Sequence, residues 1–71
     1  MKDYLLILEW AEGNWSAYAP DVPGCVSTGA TREECEANFA EALALHFEGL
    51  REDGLPIPEP LAQAGRVSVA A

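Results

Sequence analysis

Basic residues are scarce in this chain. Four lysines and arginines stand against twelve aspartates and glutamates, a formal charge of −8 over 71 residues. A surface so short of cations is poorly suited to neutralising phosphates, which argues against nucleic-acid binding. The excess acid either draws in a basic protein partner or only maintains solubility. Histidine occurs once, as His46, and cysteine twice, as Cys25 and Cys35. Those are too few donors for a zinc-type metal site. No run of about 18 apolar residues is present, so no segment reads as a membrane span. The apolar stretch Tyr4–Leu8 is too short for a secretory leader and reads as strand. The sequence therefore predicts a cytoplasmic protein with buried, reduced thiols. A Cys25–Cys35 disulfide is geometrically open, but that compartment disfavours it. Repeats and low-complexity tracts are missing too.

Apolar residues are plentiful by comparison, at 49%. A chain of this length forms one domain, residues 1–71, and buries only roughly 60% of its unfolded surface. Some of the apolar surface is thus expected to meet another subunit, making the protein a homodimer or homotetramer.

The stretch Ala19–Thr31 is the joint between strand and helix. Asp3–Trp10 reads as the first strand, with Tyr4, Leu6, Leu8 and Trp10 on one face and Leu5, Ile7 and Glu9 on the other. Both faces are largely apolar, so both should be covered. Ala11–Asn14 is a hairpin loop, with Gly13 and Asn14 suited to positive φ, and Trp15–Ala19 is the second strand. Pro20, Pro23 and Gly24 force a fixed corner. Asp21 within it can accept backbone N–H groups in an Asx-type turn, or contact a partner. The third strand, Cys25–Thr28, is broken by Gly29.

Thr31 and Glu34 have the spacing of a capping box, and the helix runs from about Arg32 to Glu52. Cys35, Phe39, Ala42, Leu43, His46 and Leu50 form its apolar stripe, flanked by Leu45 and Phe47, which extend the core or reach a partner. Glu41, Glu48 and Glu52 face away. Gly54 is the stop. Pro56, Pro58 and Pro60 make Leu55–Pro60 an extended arm. Ala62–Gly65 reads as a turn and Arg66–Ala70 as a short fourth strand. The order β-β-β-α-β is that of an α+β fold, an antiparallel sheet of three to four strands with one helix on one face.

Catalytic groups are hard to assemble from this chain. A metal-dependent nuclease would need two or three converging carboxylates, from Asp3, Glu9, Asp21 and Glu34, and nothing in their spacing fixes them at one point. His46 sits in an apolar stripe without a second histidine, so a packed role suits it better than general-base chemistry. Cys25 follows a Pro-Gly turn but has no basic neighbour to lower its pKa, so a packed thiol is preferred to a nucleophile. Trp10 and Trp15 flank the hairpin loop, where they pair across strands or anchor an interface.

The pieces Pro20-Asp21-Val22-Pro23-Gly24-Cys25, Thr28-Gly29-Ala30-Thr31 and Asp53-Gly54-Leu55-Pro56-Ile57-Pro58, in this order and around a helix of this type, resemble the HicB family of antitoxin-like proteins. The likeness covers nearly the whole chain. It implies a reduced RNase H-like unit that masks a small basic, RNA-cleaving toxin of the HicA type, without catalysis or cofactor. Contacts would come from the acidic helix face (Glu41, Glu48, Glu52) or from the region of Asp21 and the arm. Family members often carry a C-terminal DNA-binding segment, and nothing up to Ala71 resembles one. The likeness thus implies toxin neutralisation or self-association rather than operator binding. The alternatives are a stand-alone oligomeric binding protein and a metal-dependent nuclease.

Overall fold

The first hairpin is set by its two-residue turn. In the computed structural model, which describes residues 1–71, Glu12 (φ 53) and Gly13 (φ 80) both have positive φ. That is the twist a type I′ turn needs to join two antiparallel strands. The strands are β1 (Ile7–Ala11) and β2 (Asn14–Tyr18), with Ala11 opposite Asn14 and Ile7 opposite Tyr18. The turn thus lies one residue earlier than Gly13-Asn14, and Asn14 belongs to the strand.

Strand β1 begins at Ile7, not Asp3, for a reason the register supplies. Continued backward, Leu5 would face Pro20, which has no N–H to give. Residues 3–6 therefore run on without a ladder.

Two turns follow β2. Val22 N–H donates to the Ala19 carbonyl (3.0 Å) and Cys25 N–H to the Val22 carbonyl (3.4 Å), with Pro20 and Pro23 each in second place. This corner puts Val22 in the interior, 1% exposed. Strand β3 (Val26–Gly29) then pairs with β2, Val26 opposite Tyr18 and Gly29 opposite Trp15. Gly29 ends the strand as its last paired residue rather than breaking it. A Cβ there would lie 2.6 Å from the Cys35 nitrogen, so this crossing admits only glycine without a shift.

Helix α1 (Arg32–Glu52) has the predicted bounds. Thr31 Oγ1 accepts from Glu34 N–H at 3.1 Å. Glu34 Oε1 reaches back to the Ala30 N–H (3.3 Å), one residue before the position a strict capping box would use. At the other end Gly54 N–H donates to Arg51 O (3.1 Å) and Leu55 N–H to Leu50 O (2.9 Å), the paired bonds of a Schellman stop, with Gly54 at φ 68.

The helix crosses β3 and β2, and its main sheet contacts are with those two strands. Ala17, Ala19, Val22, Cys25, Cys35 and Phe39 form the core. Ser27 Oγ donates to Cys35 O (3.0 Å), and Asn38 Nδ2 donates to Thr28 O (2.8 Å), fixing the helix to β3. A 21-residue helix is roughly 31 Å long and a five-residue strand roughly 17 Å, so the C-terminal half of α1 overhangs the sheet. There the proline arm supports it. Tyr4 packs edge-on against Phe47 (5.4 Å between ring centres), and its hydroxyl donates to the Pro58 carbonyl at 2.6 Å.

The observed fold is α+β, a three-stranded antiparallel sheet in the order β1-β2-β3 with one helix on one face. The expected fourth strand at Arg66–Ala70 does not form, and Ala62–Gly65 makes no hydrogen-bonded turn. Those residues have the alternation of a strand but no strand beside them to complete it.

Candidate partner-binding surface

The predicted contact residues fall on three separate places. Trp10 and Trp15 pair across the hairpin, ring centres 5.6 Å apart and tilted by 60°. In a two-residue hairpin the turn-closing pair exchanges both backbone bonds, so the tryptophans form the next, closer-set pair. They sit where the helix begins, with Arg32 near Trp15. Trp15 is half-buried against the core and Trp10 stays 55% exposed. The cross-strand pair is thus formed and leaves one aromatic face in the open.

Asp21 lies at the opposite end of the sheet. Its carboxylate does accept a backbone N–H, but from Ala62, 41 residues away (2.9 Å), and not from its own turn. Asp21 is the anchor of the arm. Spacing alone gave no sign of that partner. Lys2 and Glu59 form a second tie at 2.8 Å, exposed on both sides, and the Glu59 carboxylate raises the Lys2 pKa.

Glu41, Glu48 and Glu52 lie on one exposed ridge of α1, with Glu34 further toward its start. None of them has a cation within ion-pair distance. Only Glu36 and Glu59 among the acidic residues are paired, with Arg32 and Lys2. Leu45, 63% exposed, stands in the middle of this ridge. Of the two roles its flanking position allows, extending the core or reaching a partner, its exposure leaves only the second.

The catalytic alternatives gain no geometry. No three His, Cys, Asp or Glu side chains come close enough together to hold a metal ion, so Asp3, Glu9, Asp21 and Glu34 do not converge. Cys25 and Cys35 are buried free thiols, and burial pushes the Cys25 pKa up, away from a reactive thiolate. His46 is half-buried on the helix, its ring 6.3 Å from that of Phe47.

Two stretches of the apolar faces expected on β1 and its neighbours are left without a covering element. On the outer face of the sheet, Ile7, Tyr18 and Val26 stand in direct register across all three strands; Tyr18 and Val26 are exposed, and Ile7 is half-buried. On the inner face, a groove opens beside β1 because the helix lies over β3 and β2, and Leu6, Leu8 and Trp15 line it. The alternation in β1 signals two apolar faces but not which part the helix leaves bare.

With this geometry in place, comparison with known proteins decides the family. A family model described as a HicB-like antitoxin of bacterial toxin-antitoxin systems matches residues 4–68. The chain belongs to the HicB-like antitoxin family. A UPF0150 protein of Thermoplasma acidophilum is 30% identical over 89% of this chain and 91% of its own length. Antitoxin HicB 2 of Photorhabdus laumondii is 37% identical over 80% of this chain. An uncharacterised 14.9 kDa protein of Haemophilus phage HP1 is 39% identical over 79%. This HicB-like chain spans only about two fifths of those last two relatives. A chain in a solved HicA3 and HicB3 toxin-antitoxin complex superposes with a TM-score of 0.72 at 32% identity, covering 84% of this chain and 70% of that one. No helix of the present chain is long and apolar enough to cross a membrane.

Proposed function

We propose that this HicB-like chain is the antitoxin of a small basic, RNA-cleaving toxin of the HicA type and acts by occlusion. The observation that carries the reading is the ridge Glu41, Glu48 and Glu52, unpaired within the chain and centred on an exposed leucine. These carboxylates break no internal ion pair in turning to a cationic partner, and Leu45 adds an apolar contact at the centre of the patch. The structural relative comes from a HicA3 and HicB3 complex, which supports the choice of partner. The chain takes part as binder and not as catalyst, in the cytoplasm, and as a homodimer or homotetramer. No cofactor is needed for masking.

The test is to mix the purified protein with the basic toxin encoded beside it and follow RNA cleavage. Stoichiometric loss of cleavage is expected. Undiminished cleavage with no complex at micromolar concentration would refute the reading for that pair. The stand-alone alternative draws on one observation, the match along 91% of a short Thermoplasma relative. It predicts no toxin gene next to this one.

A further inference from the structure

Past Ala62 the chain makes no hydrogen bond to the rest of the molecule. Val67 and Val69 are 93% and 82% exposed, and they alternate with Arg66, Ser68 and Ala70 at the period of a strand. From Val67 onward the segment stands away from the body. The radius of gyration is 13.9 Å, with extents of 47 × 27 × 19 Å, against roughly 11 Å for a compact chain of this length.

The same molecule carries a receptor for such a strand, a sheet edge with which no strand of the chain pairs. Strand β1 pairs only with β2. The hairpin register turns the N–H and C=O groups of Leu8 and Trp10 outward, where nothing in the chain meets them. Under that free edge lies the inner groove of Leu6, Leu8 and Trp15, with the chain's own Gln63–Arg66 at its rim.

We propose that residues 66–70 are a β-strand donated to β1 of a second copy of this chain, so that two copies exchange tails about a two-fold axis. The faces agree. With Val67 and Val69 turned into the groove, Arg66 and Ser68 emerge on the opposite face, which is the face of Glu9. The charges agree as well. Residues 60–71 contain no acidic side chain and one cation, Arg66, in a chain of net −8. This segment can approach an edge bearing Glu9 and Glu12 without repulsion. The chain's own residues 63–66 flank Leu5–Leu8 without a backbone bond, and then Val67 leaves the body. A second copy offers the same edge, and the exchange is self-complementary, as a two-fold interface requires. The proposal gives the self-association above a defined surface. It does not depend on toxin masking.

The experiment is sedimentation of the purified protein over a range of concentrations, with amide exchange read by NMR. The wild type is expected to associate in multiples of two 7.6 kDa chains. The Leu8 and Trp10 amides should be protected. The double variant Val67→Glu/Val69→Glu should weaken association on the order of 100-fold and expose those amides. Its helix signal should be unchanged, because the two valines have no partner within the chain. Glu9→Arg should weaken association about threefold, and combining it with Arg66→Glu should restore it. A monomeric wild type would overturn both this interface and the self-association proposed above. Association untouched by the double variant would overturn the interface alone. A tail protected only when a basic toxin is added would assign it to the toxin instead.

Discussion

At Gly29 the backbone of β3 meets the first turn of α1, and the 2.6 Å clearance to the Cys35 nitrogen leaves no room for a methyl group. The obstacle is backbone on both sides of the clash, so neither can rotate away. Gly29→Ala should therefore destabilise the fold by about 1–3 kcal/mol, read as a lower urea midpoint with unchanged slope. Cys25 makes a second prediction at this scale. Burial raises its pKa, so the folded state holds the thiol proton more tightly than the unfolded chain does. The contribution is whole below the ordinary thiol value of 9.0 and is lost as pH rises past it toward the folded value. Stability should decline above pH 9. Cys25→Ala should flatten that part of the decline, as chemical melts across alkaline pH would reveal. The same burial makes Cys25 slow toward thiol reagents at neutral pH in the folded protein.

Elements were legible where their causes are local. Helix α1 has its cap, stripe and stop within its own residues, and both ends appear where Thr31 and Gly54 put them. The sheet is legible only in part, because a strand's length depends on its neighbour. Pro20 deprives Leu5 of a partner, and Arg66–Ala70 has no strand beside it. The acidic ridge was readable from helical spacing. The Asp21–Ala62 bond was not, since it joins residues 41 positions apart through the path of the arm. The hairpin turn carries a further prediction. Glu12 holds φ 53, a left-handed conformation that asparagine adopts with less strain. Glu12→Asn should thus stabilise the protein by about 0.5–1 kcal/mol, visible as a higher thermal midpoint. It leaves Gly13 and the strand register in place, so the tryptophan pair should keep its near-ultraviolet signal.

For the molecule as a whole, the decisive quantity is charge that has no partner inside the fold. Twelve acidic residues give a net −8, and only two of them are ion-paired. Both pairs are exposed, so they add little to stability. The free chain is left with self-repulsion that nothing within it offsets. Salt should act on this protein in two opposite directions. Screening shortens from about 10 Å at 0.1 M to about 3 Å at 1 M, which relieves repulsion among Glu41, Glu48 and Glu52 along the ridge. Added sodium chloride should therefore raise the thermal midpoint of the free chain. Under the proposed masking role it should also slow association with a basic toxin, because the same field that destabilises the fold steers the encounter. Glu41→Gln/Glu48→Gln/Glu52→Gln should shrink both effects together, leaving a chain whose melting responds less to salt and whose toxin association is slower at low salt. A triple variant that kept the full salt response of both would show that the ridge is not the source of either.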